Sequence, residues 1–332
     1  MNRDLLATRR DFLATAAAGF AAASCAPAAV AQPSADRALI AITLDLEMAR
    51  NFPRREDVHW DYEKGNLNAE AKAYAVEAGR RVKAAGGVIH YFAVGQLFEQ
   101  EDVRWLERLA ADGHPIGNHT YDHVYLLATR PDEVQFRFKR APWLIEGKTP
   151  AEAIRDNVRL GAAAMKSRLG IAPAGFRAPG GFAGGLRDRP DVRRMLLNEG
   201  YTWVSTMYPA HKPASPGEPP DDVLADIVRA QPAAQPFVYP DGLIEVPMSP
   251  ISDIGAFRTG QWPLESFLRA VRLGVDWAIE NRAVYDLLSH PSCLYVVDPE
   301  FRTIDLICEL VRKAGDRAAI VGLDALATRA RR

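Results

Sequence analysis

The chain is 332 residues long, with 41 Lys+Arg against 42 Asp+Glu, a formal net charge of −1, 48% hydrophobic and 25% charged residues. Balanced charge with no basic block leaves no electrostatic footprint for nucleic acid, and the spread of apolar residues argues against disorder. Three cysteines exclude a disulfide scaffold, while a single core can serve a chain of about 300 residues.

The first segment is unlike the rest. Arg9 and Arg10 precede Phe12 and Leu13, an alanine-rich uncharged stretch runs to Ala31, and Ala29-Val30-Ala31 has the small-x-small pattern of a cleavage site. Residues 1–31 therefore read as a twin-arginine export signal, and residues 32–332 as a single folded domain. The expected partner is the twin-arginine export machinery, and the expected destination is the periplasm or the outside of the cell. A membrane anchor from Phe12 to Ala31 has about the right length, but it is mostly alanine and contains Pro27. No stable membrane span is expected after cleavage. Lipid attachment at Cys25 has only a weak lead-in, Ala22-Ala23-Ser24. Whether Cys293 and Cys308 pair is left open by the sequence.

Beyond residue 38 the elements alternate. Residues 38–44 read as a buried strand, 68–85 as a helix, and 88–94 as a second strand opened by Gly86-Gly87. Helices are predicted over 101–112 and 150–169, with short strands at 115–117 and 174–177. Apolar runs at 201–206, 243–247, 283–289 and 318–322 read as further strands, and 263–280, 300–314 and 323–331 as helices. Such alternation predicts an α/β domain with parallel strands and crossover helices. At this length a closed (β/α) barrel is favoured over an open sheet, although periodicity does not separate the two. The proline-rich segment 207–236 reads as a long rim loop with a short helix around Val223 to Arg229.

Four segments could carry chemistry. In Ile40 to Glu47, IAITLDLE, a period of two puts Asp45 and Glu47 on one face at the strand's C-terminal end, where barrel active sites lie; a polar strand end entering a loop is the ordinary alternative. In Gly117 to His123, GNHTYDH, a helix from Asn118 would set His119 and His123 at i and i+4, able to reach one metal ion. In Phe176 to Gly181, FRAPGG, Arg177 could hold a carboxylate ionised, although Pro-Gly-Gly also reads as a plain turn. His290 ends the apolar run Leu287-Leu288-Ser289, a position where a histidine is often structural. Trp60 and Tyr62, in HWDYEKGN, could offer aromatic faces to a sugar ring or simply pack a loop.

Taken together and in order, T-x-D-x-E, H-T-x-x-H, R-x-P-x-G and L-x-H resemble the motifs of the polysaccharide deacetylase family, carbohydrate esterase family 4, over about residues 40 to 291. The resemblance implies a distorted (β/α)7 barrel, a divalent metal at its C-terminal face, and hydrolysis of N- or O-acetyl groups on a glycan. By position, Asp45 matches the catalytic base, His119 and His123 the metal-binding histidines, Arg177 the arginine paired with the base, and His290 the general acid. Pro179 falls with the substrate-contacting turn.

Two departures stand out. The family's first motif has adjacent aspartates, the second a metal ligand, whereas this chain has Leu46 there. Glu47 shares Asp45's face and would take that role. The aspartate–tryptophan fourth motif is also missing, since Tyr201 to Met207 contains no acid. Whatever tunes His290 must come from elsewhere, with Asp253 and Asp298 as candidates.

Two histidines and a carboxylate form a hydrolytic ligand set that suits Zn2+. The same barrel could instead cleave another linear or cyclic C–N amide bond, or be a non-catalytic carbohydrate-binding relative. A serine hydrolase is disfavoured because G-x-S-x-G is absent, and a P-loop because Gly147-Lys148-Thr149 is preceded by Pro142 where the leading glycine belongs.

Overall fold

The computed structural model describes residues 37–47 and 64–331. The chain divides into two units, Met1–Gln32 and Pro33–Arg332, and every described residue lies in the second. The export signal, Cys25, Trp60 and Tyr62 lie outside the described residues.

Among the described residues nine strands form one sheet: β1 (Ala38–Leu46), β2 (Ile89–Ala93), β3 (Ile116–Asn118), β4 (Phe176–Phe182), β5 (Trp203–Met207), β6 (Phe237–Val238), β7 (Ile244–Glu245), β8 (Val284–Ser289) and β9 (Ala318–Ile320). Their order is β6-β7-β5-β4-β3-β2-β1-β8, with β9 beside the start of β1. All pairings are parallel except β6 with β7. Every residue of β1 is buried, as expected for a parallel strand covered on both faces.

The sheet curls until its ends approach. Ser249, just past β7, donates its backbone N–H to the Asp286 carbonyl of β8 at 3.0 Å, and its Oγ accepts the Asp286 N–H at 3.3 Å. These bonds bridge the gap between β7 and β8 without a ladder. The result is the single-domain, distorted β/α barrel that the alternation predicted.

Helices fill the crossovers close to their expected bounds. Ala69–Ala84 begins at Asn68, whose side chain accepts the Ala71 N–H. Pro150–Leu169 opens with a reciprocal Thr149–Glu152 capping box and stops at Gly170, left-handed at φ 70°. Among the described residues, no helix is long and apolar enough to cross a membrane.

Three expectations need correction. The stretch after β3 is not helical: Thr120 and His123 take left-handed φ of 61° and 60°. Local bonds compete with the helix there, since the Asn118 side chain accepts the Thr120 N–H at 2.8 Å and the Thr120 hydroxyl accepts the Val124 N–H at 3.0 Å. Pro179-Gly180-Gly181 is not a simple turn but lies inside β4, which bulges between Arg177 and Phe182. Gly180 and Gly181 supply the positive φ that this bulge requires. Segment 207–236 carries the expected short helix, as Asp221–Ala230, followed by a 3-10 turn at Gln231–Ala234. Residues 323–331 split into a helix, Leu323–Ala327, and a 3-10 turn. Cys293 and Cys308 are both free.

Candidate active site

Parallel strands all point their C-terminal ends the same way, so residues distant in sequence gather there. Asp45 ends β1 with Glu47 just beyond; His119 and His123 follow β3; Arg177 stands in β4; and His290 follows β8. All are buried except His123, which is partly so.

Glu47, His119 and His123 form a cluster whose potential ligand atoms lie within 4.8 Å of one another. Glu47 Oε2 is 2.9 Å from His119 Nε2 and also touches His123 Nε2. The tautomer of His119 follows from its other nitrogen, since Nδ1 lies 2.9 Å from the Arg177 carbonyl and must donate to it. His119 Nε2, on the other side of the ring, is at hydrogen-bond distance from Glu47 Oε2. Buried His123 Nε2 abuts the same oxygen. Burial pushes His123 down to about 3 against the pull of Glu47. Burial favours a neutral Glu47, but the neighbouring His123, Lys64 and His119 outweigh it and hold the carboxyl well below its usual range. One carboxylate and two imidazoles thus turn ligand-type atoms toward one point. A divalent cation fits that arrangement.

The opposite wall carries His290, paired with Asp253. His290 Nδ1 donates to Asp253 Oδ1 at 2.9 Å, and the His290 backbone N–H donates to Asp253 Oδ2 at 2.6 Å. Burial opposes the charged ring, but Asp253 and Glu47 raise His290 to about 10. His290 Nε2 faces Glu47 Oε1 at 3.4 Å. Asp253 is therefore the acid that substitutes for the missing motif. Asp298 is not; its two oxygens accept the Arg302 and Thr303 N–H groups at 2.9 and 2.7 Å and cap the helix Arg302–Ala314.

Arg177 is wholly buried and has more partners than expected. Its NH1 donates to Thr43 Oγ1 at 2.6 Å and to Asp45 Oδ1 at 3.2 Å, and its NH2 to Asp286 Oδ2 at 2.5 Å. Ser205 Oγ accepts from Nε and NH2, and the guanidinium stacks 4.6 Å from the Phe92 ring centroid. Asp286, which the motif reading missed, is thus a closer partner than Asp45. Burial raises Asp286 to about 6, against Arg177 and Thr43. An acid in the middle of an otherwise apolar strand, Val284-Tyr285-Asp286-Leu287-Leu288, was its only sequence signal.

A cavity of about 270 Å³ opens on Asp45, Glu47, His123 and His290. Pro179 is buried in β4 and does not line it; Ala178, Gly180 and Gly181 do. Lys64, the other unforeseen residue, donates to Glu47 Oε1 at 2.8 Å.

Fold and site define a β/α-barrel with Asp45, His290 and a carboxylate–dihistidine cluster at the strand ends. The match to known families is more particular. Residues 72–204, which include His119, His123 and Arg177, match the family model described as polysaccharide deacetylase. That match takes in the H-T-x-x-H and R-x-P-x-G segments of the resemblance and supports a deacetylase-type hydrolase; the D-x-E and L-x-H segments lie outside it.

Two solved structures provisionally described as polysaccharide deacetylases share the fold. The one from Mycobacterium smegmatis is 17% identical with a TM-score of 0.59, over 91% of this chain and 93% of that one. The one from Pseudomonas aeruginosa PAO1 is 12% identical with a TM-score of 0.59, over 89% and 91%. Puue allantoinase is 13% identical with a TM-score of 0.53, over 89% and 91%. No curated protein matches the chain.

Proposed function

We propose that this protein is a metal-dependent hydrolase that removes acetyl groups from an N- or O-acetylated glycan, working outside the cytoplasm after twin-arginine export. The observation that carries the metal is the convergence of Glu47 Oε2, His119 Nε2 and His123 Nε2, with the His119 tautomer set by the Arg177 carbonyl. Zn2+ suits this ligand set, which leaves room for water and substrate. When bound, the ion supplies Lewis acidity and lowers the pKa of water.

The side chains divide the remaining work. Asp45, held in place by the Arg177 guanidinium, which donates to it at 3.2 Å, accepts the proton of the attacking water. As the water oxygen bonds to the acyl carbon, the C–N or C–O bond breaks. His290, held protonated by Asp253, gives its proton to the departing amine or alcohol. An amine leaves poorly without that proton, so the pairing with Asp253 serves turnover. Trp60 and Tyr62 are proposed as sugar-ring platforms and Pro179 as a support for the substrate wall.

Acetate release from peptidoglycan, chitin oligomers and acetylated xylan, measured with the metal-loaded and the chelator-stripped protein, tests this reading. Release that depends on metal supports it; no release from any of them contradicts the glycan assignment. A second reading, hydrolysis of a smaller amide, draws on the apolar cavity wall of Met248, Ile254 and Leu288 and on the fold shared with Puue allantoinase. Hydrolysis of a cyclic ureide in place of the glycans favours it.

A further inference from the structure

Glu47 carries one methylene more than an aspartate, which adds a torsion. Such a carboxylate can swing, or bind an ion with both oxygens. In this structure the two oxygens are already assigned different neighbours. Oε2 faces His119 Nε2 and His123 Nε2, whereas Oε1 faces the Lys64 ammonium at 2.8 Å and His290 Nε2 at 3.4 Å. The Lys64 and Glu47 side chains are only 2% and 7% exposed, so water does not replace this contact.

The backbone holds Lys64 in place. The Gly65 N–H donates to the Glu47 carbonyl at 2.8 Å, tying the returning chain to the end of β1. Gly65 sits at φ 83°, and a Cβ there would stand 2.6 Å from the Leu97 nitrogen and 2.9 Å from the Gln96 carbonyl carbon. Only glycine lets the chain pass so close. Gln100 Nε2 donates to the Gly65 carbonyl at 3.2 Å on the far side. Lys64 is thus carried to the carboxylate by a turn that cannot easily shift.

We propose that Lys64 is a positioning residue of the metal site: its ammonium pins Oε1 of Glu47 so that Oε2 alone serves the ion. The inference rests on the metal-site reading above and goes beyond it. One-oxygen ligation keeps the remaining positions open for water and the acyl oxygen. Partners that orient a ligand in this way typically change metal affinity by about 10–100-fold when removed.

The test compares the wild type with Lys64→Met, Lys64→Gln and Lys64→Arg. Zn2+ affinity is read by competition with a chromophoric chelator, and coordination by the visible absorption of the Co2+-loaded protein. Both uncharged variants are expected to bind Zn2+ about 10–100-fold more weakly. Their cobalt bands are expected to lose intensity as the freed carboxylate adds its second oxygen. Lys64→Arg should recover part of both. Unchanged affinity and an unchanged cobalt spectrum in a folded Lys64→Gln or Lys64→Met protein overturn the proposal. So does a lower melting temperature with the metal readouts intact, because that marks a structural role alone. A wild type that binds neither ion contradicts the metal-site reading itself, before any Lys64 variant is compared.

Discussion

Two polar clusters sit side by side in this barrel, and they are built on opposite principles. Around Arg177 the bonds close on themselves: Thr43, Asp45, Asp286 and Ser205 all receive its hydrogens. Around Glu47 the polar groups open on a cavity: Oε2 faces the His119 and His123 rings, Oε1 faces Lys64 and His290, and Glu47, His123 and His290 line the pocket. A buried network closed on itself holds the barrel together. A buried carboxylate–dihistidine cluster that opens on a cavity is a candidate binding site. The Arg177 carbonyl links the two, since it lies 2.9 Å from His119 Nδ1.

That contrast breaks apart under mutation in a definite order. The largest effect expected is on turnover, for Asp45→Asn: loss of the base should lower kcat by about 10²–10⁴-fold while bound metal remains stoichiometric. Loss of metal along with activity would move Asp45 into the ligand set. Next, Arg177→Met should destabilise the fold by about 3–5 kcal/mol, measured by urea unfolding, since it strands buried Asp286.

A smaller effect concerns pH. In the proposed mechanism His290 gives up its proton, so activity is expected to fall as pH rises through its pKa, which Asp253 and Glu47 raise to about 10. In Asp253→Asn that upward pull weakens, and the alkaline limb of kcat/KM should move down toward the ordinary histidine range. An unmoved limb would remove Asp253 from the catalytic account. The smallest expected effect is for Asp298→Ala. It removes only the helix cap, at about 1 kcal/mol of stability, and should leave the pH profile of kcat/KM where it was.

What was legible in the sequence and what was not divide along the same physical line. Local periodicity showed β1, and its alternation placed Asp45 and Glu47 together, because a strand's side-chain direction repeats every two residues. His119 and His123 were found as a pair although the predicted helix is absent; closeness in sequence was enough to bring both rings to Glu47. Asp253 could be named only as one of two candidates, since it reaches His290 across 37 residues. Asp286 escaped because its meaning depends on Arg177, 109 residues earlier. Lys64 has no signal at all in HWDYEKGN; the turn at Gly65 and the neighbouring Gln96 and Leu97 bring it home.

The central claim is that Glu47, one place beyond the usual motif position, is the carboxylate ligand. Metal content of Glu47→Ala, purified, stripped and reloaded with Zn2+ beside the wild type, tests it most directly. The account predicts about one ion per wild-type chain and none held by the variant through gel filtration. Full zinc occupancy in a folded Glu47→Ala protein would contradict it.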